Sequence, residues 1–461
     1  MKKYIGIFVL MLCLFFISLC VASSFSSEII YEHVVESSKQ LSKEGNLYRM
    51  IEGISSTTDN ATDVLMINEA YSIDNTEPIY SFMSGRKNYK KGTTKSQLKD
   101  TQNELISFDV ESVKSVPEGE MPKRETYNPV KELEDFLNGD VNVSIEYARY
   151  WHGYLVLLRP LLIFFNITEI RQILFIIFCV LLTWFAILLK KQFGLDVAVV
   201  FVYALISIGY FFESYSLQGA PVFLVMMISS LILLKNINKI KDINLFMFIV
   251  GCITNFVDYL TVPILTLCIP LIIYMLYKNK TEEMEDKKAL KMILKASTAW
   301  CVGYAGTWFA KWLIYDLLYD SNLIKSALHQ VAFRANGKNS HYGLPFDQTM
   351  IYFLTKISIY VVGFITYIYF RECIFMSKAE KKEEIKLNVP TILIGLYPLM
   401  WFLVLQNHTT RHLHFSYRNI VVSVIIILIC IEKFVRKKNL LPKKELTKFE
   451  CKKLNKNKSR V

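Results

Sequence analysis

Apolar runs long enough to cross a bilayer core of about 30 Å, roughly 17–25 residues each, recur along the whole chain. The first is Ile5–Ala22, behind Met1-Lys2-Lys3-Tyr4. Later runs are Gln172–Leu189, Leu195–Phe212, Gly219–Leu234, Leu245–Phe256, Leu260–Tyr277, Met292–Tyr315, Thr349–Phe370, Val389–Leu405 and Tyr417–Ile431. With the first they predict about ten transmembrane helices. The polar connectors carry the topology signal. Lys190 and Lys191, the group Lys235, Lys239 and Lys241, the stretch from Lys278, that from Lys378 to Lys386, and the tail 432–461 all fall on one side if both termini are cytoplasmic. That arrangement obeys the positive-inside rule. The intervening turns Glu213–Gln218 and Asn255–Tyr259 contain no Lys or Arg and fall outside.

The pattern thus predicts an all-α, polytopic helical membrane protein of the plasma membrane. Segment 1–22 is a signal anchor, although Ala22-Ser23-Ser24 also fits a signal-peptide cleavage site. Residues 23–144 form a mixed external N-terminal loop domain, 145–166 an interfacial helix, 172–431 the transmembrane bundle and 432–461 a basic cytoplasmic tail. In the external domain Glu28, Glu32 and Glu36 recur at helical spacing. Thr62–Asp74 mixes an apolar stripe with acids, and Thr62 is placed to cap a helix containing Asp63. Lys87–Pro129 reads as a polar excursion. On a helix over Ile145–Phe165, Tyr150, Tyr154, Leu157, Leu158, Leu161 and Leu162 share one face, with Arg149, His152 and Arg159 on the other. Such a helix lies in the membrane interface; the alternative is a short crossing segment with a snorkelling Arg159.

Composition agrees. Of the 461 residues 52% are hydrophobic and 14% aromatic, too apolar for a soluble multidomain enzyme. The net charge of +12 collects in the connectors and tail, so it marks topology rather than nucleic-acid binding. None of the nine cysteines lies between Val21 and Ile170, which excludes a disulfide scaffold for the external domain. No internal repeat is visible.

The candidate chemistry gathers on one side. All seven histidines fall outside or at the outer interface, His341 within the loop Arg334–Pro345. Glu213 and Asp258 sit among aromatics at outer ends of spans, and ionisable groups in apolar segments are costly without a cavity or partner. Lys311 lies near the outer end of its span, where it either snorkels or points inward at an anion. The densest cluster is Gln406–Arg418. On a helix His408, Arg411, His412 and Phe415 share a face, with His414 and Arg418 beside them. Arginine forks and imidazoles suit phosphate. His408 and His412 also have zinc spacing, but no third ligand motif accompanies them. An inert solvated loop is the bland alternative. A carboxylate such as Asp63 would serve as base toward an acceptor hydroxyl.

This layout resembles the GT-C superfamily of polyprenol-dependent glycosyltransferases, such as protein O-mannosyltransferases and aminoarabinose transferases. The resemblance is carried by Thr62-Asp-Val-Leu-Met-Ile-Asn68 in the first external segment and by Arg149-Tyr-Trp-His-Gly-Tyr-Leu-Val-Leu-Leu-Arg-Pro160. The Asn407-His408 and Tyr417-Arg418 pairs near the end are similar to those of bacterial multi-pass membrane proteins of the same layout. The resemblance implies sugar transfer from a polyprenyl-phosphate donor to a glycan, lipid or protein acceptor at the outer face. It implies Asp63 as the catalytic carboxylate, with Glu28 and Asp258 as substitutes. Arg149, His152, Glu213, Lys311, His341, His408, Arg411, His412 and Arg418 would bind substrate. No cofactor is expected, though a divalent cation stays open. The rival functions are a transporter or flippase for a lipid-linked or anionic solute, and a non-catalytic membrane assembly protein.

Overall fold

The computed structural model describes residues 2–50, 57–90, 129–139, 141–335, 345–374 and 386–440. Its architecture is all-α apart from four short strands among the described residues. Among the described residues three helices are long and apolar enough to cross a membrane: α1 (Lys2–Ser23), α7 (Ile167–Phe193), and residues Phe346–Arg371 of a later helix. The sequence explains α7 end by end. Asn166 and Glu169 form a reciprocal capping box at its start, and Lys190 and Lys191 face the negative end of its dipole before Gly194 stops it. Phe178, Phe185 and Leu189 are buried on one side of α7, whereas Ile176, Val180 and Ile187 are exposed on the other. An exposed face this rich in apolar side chains suits lipid better than water.

The segment that follows α1 is a small helical unit. A 3-10 turn (Ser27–Ile30) leads into α2 (Tyr31–Glu44), so Glu28 and Glu32 belong to different elements. Strand β1 (Leu47–Arg49) pairs antiparallel with β2 (Thr57–Asp59). Asp59, not Thr62, caps α3 (Asn60–Tyr71), accepting from the Thr62 amide. After α4 (Pro78–Ser84) comes β3 (Lys87–Lys90). Helix α5 (Pro129–Leu137) precedes β4 (Val141–Ile145), which pairs antiparallel with β3. Val34, Leu41, Val64, Ile67, Leu133 and Phe136 are buried in its core.

The predicted helix over Ile145–Phe165 is corrected. Residues 146–154 are turns and irregular chain, and α6 begins only at Leu155 and ends at Phe164. Long-range bonds described below hold the loop. Arg159 does not snorkel. It is fully buried and donates to the carbonyls of Ala22, Phe25 and Ala70, stitching the end of α1 to the small helical unit. Arg171 on α7 does the same from the other side, 2.8 Å from Glu44 and 2.9 Å from Asn60.

The remaining bundle follows the predicted order with shifted bounds. Helix α8 (Leu195–Ser207) gives way to a 3-10 turn (Tyr210–Tyr215), and α9 (Ala220–Asn236), α10 (Ile243–Val257) and α11 (Ile264–Thr281) follow. The Asp258 turn separates α10 from α11. Helix α12 (Asp286–Tyr319) crosses α10 with backbones nearly touching. A Cβ at Gly251 would lie 2.3 Å from the Trp300 carbonyl oxygen, and one at Gly303 would lie 2.2 Å from that of Phe248; small residues at both faces permit this approach. Helix α13 (Leu323–Ala335) occupies part of what read as an open loop, and α14 (Phe346–Ile374) carries the third long span. The run Val389–Leu405 is not one helix. It divides into α15 (Val389–Leu393), a 3-10 turn and α16 (Tyr397–Val404), with Pro390 and Pro398 in the first turns of the two helices. Short helices α17 (Gln406–Arg411) and α18 (Leu413–Ser416) lead to α19 (Val421–Leu440). Glu432 and Arg436 thus belong to the bundle rather than to the tail. They join Arg371 and Asp196 in an ion cluster, with Arg371 2.8 Å from Glu432 and Arg436 2.8 Å from Asp196.

Candidate functional site

Where the small helical unit that follows α1 meets the loops of the bundle, a cavity of about 190 Å³ opens. Its wall carries Lys87, Arg149, Arg334, Arg411, His408 and His412, together with the rings of Tyr147, Tyr150, Tyr259, Phe333 and Phe415. Thr62, Leu65, Gln218, Gln330 and Asn407 complete the lining, and no acid is among these residues.

The loop 146–154 delivers three of these side chains, and its position is fixed from several directions. The indoles of Trp308 and Trp312 on α12 both donate to the Arg149 carbonyl, at 2.6 and 2.9 Å. Trp151 donates back to the Thr307 carbonyl at 2.8 Å. The Gly153 amide donates to the Phe256 carbonyl at 2.9 Å, and the Tyr147 amide to Ser84 at 2.7 Å. Tyr147 then lies beneath two cations, with Lys87 Nζ and the Arg149 guanidinium each 4.8 Å from its ring centre. Burial alone would raise its phenol, but Arg149, Arg334 and Lys87 outweigh it and hold Tyr147 below the ordinary tyrosine range.

Helices α13 and α17 close the opposite wall. Arg334 Nη1 is 2.7 Å from His408 Nδ1. A guanidinium only donates, so Nδ1 accepts and the ring hydrogen is on Nε2, which donates to the Leu260 carbonyl at 2.8 Å. His408 is therefore a neutral imidazole. Burial, and next the Arg334 charge, push its pKa well below the usual histidine value. Burial and the charges of its neighbours do the same to His412, whose ring stacks on Phe415 with centroids 5.1 Å apart.

The acids lie one layer back, each engaged. Glu69 Oε1 is 2.8 Å from His152 Nδ1, and its Oε2 accepts from Tyr154 at 2.7 Å. Asp63 is fully buried, 3.5 Å from Arg171 and accepting from the Gln218 amide at 3.2 Å. Burial raises its carboxyl to about 7 despite Arg171. Asp258 accepts from the Thr261 amide at 2.8 Å and from Tyr304 at 2.9 Å, and burial lifts it to about 6.

Of the residues singled out from the sequence, Arg149, His408, Arg411 and His412 meet at the cavity. Asp63 and Asp258 do not line it, although their neighbours Thr62 and Tyr259 do. His152 is behind the wall. Glu213 and Arg418 are 2.7 Å from each other, both buried. Lys311 is fully buried and donates to the Met83 carbonyl between the rings of Trp151 and Tyr315, so it neither snorkels nor lines the cavity. Glu28 is exposed on its 3-10 turn, and His341 lies outside the described residues. Lys87, Tyr147, Tyr259 and Arg334 line the cavity and Glu69 backs it, though none was singled out from the sequence. Tyr147, Tyr259, Glu69 and Arg334 each lie within a flagged stretch, while Lys87 carried no signal beyond its charge.

Among the described residues no group of three His, Cys, Asp or Glu side chains is placed to hold a metal ion. With both ring nitrogens engaged, His408 is a poor zinc ligand. The arrangement is equipped to hold an anion and to present aromatic faces beside it. Neither protein-family models, nor curated proteins, nor solved structures match this chain.

Proposed function

We propose that this chain is a GT-C-like membrane glycosyltransferase. It moves a sugar from a polyprenyl-phosphate donor to a glycan, lipid or protein acceptor of the cell envelope, at the outer face of the plasma membrane. The chain crosses the bilayer ten times with both termini cytoplasmic, using α1, α7 through α12, α14, the α15–α16 pair and α19. One observation carries the proposal. Every segment lining the cavity, from the external unit to the turns at Gln218 and Tyr259, helix α13 and residues 407–415, falls on the outer side of that path.

A donor phosphate fits Lys87, Arg149, Arg334 and Arg411, which would stabilise the charge growing on it as the sugar leaves. The tyrosine and phenylalanine faces suit a sugar ring. Leu328 and Val331 are exposed on the side of α13 away from its lining residues Gln330, Phe333 and Arg334, offering a lipid-facing path for the prenyl chain. Transporters tend to bind near the bilayer midplane, and the cavity's position at the loop end of the bundle favours transfer instead.

The purified full-length chain in detergent should bind farnesyl phosphate and not farnesol. Arg334→Ala should weaken that binding about 10- to 150-fold, the worth of one charged hydrogen bond of about 1.5–3 kcal/mol. Equal binding of the two lipids would remove the phosphate site. An unchanged envelope glycan in a deletion strain would remove sugar transfer.

A further inference from the structure

We propose that Tyr259 is the acid–base residue of the cavity and that the buried Glu69–His152 pair takes up its proton, an assignment that rests on the transferase function above. Tyr259 is on the cavity wall, yet its hydroxyl is 3.1 Å from His152 Nδ1 and 3.3 Å from Glu69 Oε2. It therefore bridges the substrate space and a carboxylate–imidazole pair whose side chains are both fully buried.

The backbone is distorted to keep that pair in place. His152 has φ +58°, a conformation unfavourable for a residue with a side chain, and such strain tends to persist at functional sites. Its Nε2 faces the Tyr147 carbonyl at 2.8 Å. Gly85, itself at φ +59°, leaves room for nothing more, since a Cβ there would be 2.5 Å from His152 Nε2. Burial opposes ionisation of Glu69, but His152 and then Lys87 hold its carboxyl below the usual range, whereas burial and then the Glu69 charge push the Tyr259 phenol above its own. The titratable and charged groups facing Tyr259 and Glu69 are Lys87 of β3, the loop residues Tyr147, Tyr150, His152 and Tyr154, and Lys311 of α12.

In the transfer step the acceptor O–H bond breaks and its oxygen bonds to the anomeric carbon. The bond from that carbon to the donor phosphate oxygen breaks, and the electron pair leaves on the phosphate, facing the four cations. The acceptor's proton goes to the Tyr259 oxygen as Tyr259 passes its own to Glu69, which ends as the carboxylic acid. Glu69 and His152 act through Tyr259 and are positioning residues.

The test uses a deletion strain carrying full-length alleles, with envelope glycan measured by mass spectrometry in cells held at external pH 6 to 8. Farnesyl phosphate binding is measured on the same purified chains. Tyr259→Phe and Glu69→Gln should still bind farnesyl phosphate while glycan modification falls on the order of 100-fold or more. Genetically encoded 2,3-difluorotyrosine at position 259, a more acidic phenol of nearly the same shape, should support modification with its pH profile moved to lower pH. Parental glycan levels with Tyr259→Phe at every pH would overturn the assignment, as would an unshifted profile with the fluorinated residue. If Tyr259→Phe fails to fold, the fluorinated profile decides. Failure of the parent chain to bind farnesyl phosphate would instead bring down the transferase function itself.

Discussion

Replacing Asp63 by asparagine isolates one buried titration. The carboxyl has no exposure to solvent, and burial raises it from 3.8 to about 7. The folded state therefore holds this proton more tightly than the unfolded chain does. Below the unfolded value both states are protonated and the group is neutral in effect. As pH rises from about 4 to about 7, the unfolded chain ionises freely while the folded one resists, and stability falls. A displacement of about three units, at about 1.4 kcal/mol each, makes this loss about 4 kcal/mol by neutral pH. Asp63→Asn keeps the shape and removes the titration, while Arg171 keeps Glu44 and Asn60. The difference in unfolding free energy between variant and parent, followed by tryptophan emission in detergent across pH 4–8, should grow in the variant's favour as pH rises. Subtracting the two chains cancels the other carboxylates. A flat difference, or one that grows in favour of the parent, would mean that Asp63 is a conventional anion paired with Arg171, and would refute the reasoning.

Lys311→Met should cost stability, about 1–3 kcal/mol for the orphaned Met83 carbonyl, yet leave farnesyl phosphate binding intact; a large loss of affinity would put the ammonium in contact with the ligand. Cysteines at the exposed positions Asn138 and Lys287 test the threading. An impermeant maleimide on intact cells should label the first and spare the second until the cells are opened, and the reverse pattern would invert the topology.

Three long helices, α1, α7 and most of α14, were legible because each is a long apolar run of the kind a bilayer crossing needs. Arg149, His408, Arg411 and His412 stood out as basic groups beside apolar runs, and the fold brings all four to one cavity. What failed was local geometry set by distant partners. The stretch Arg149–Tyr154 has helical spacing of aromatic and basic residues, but its backbone bonds go to Trp308, Trp312 and Phe256, more than 100 residues away. Asp63 stood out as an isolated acid in an apolar stripe, whereas Arg171, 3.5 Å from it, reads in sequence as a flanking charge of α7. Lys87 reaches the cavity only because β3 pairs with β4, across the stretch from Lys90 to Val141 that no periodicity connects.

The two indole donors on the Arg149 carbonyl have an optical consequence. Trp308 and Trp312 are a single peptide group away from a side chain that would grip the ligand, so filling the site should perturb their emission directly. The protein carries its own occupancy gauge, readable without dye or label, and Trp308→Phe and Trp312→Phe would show which ring is the indicator.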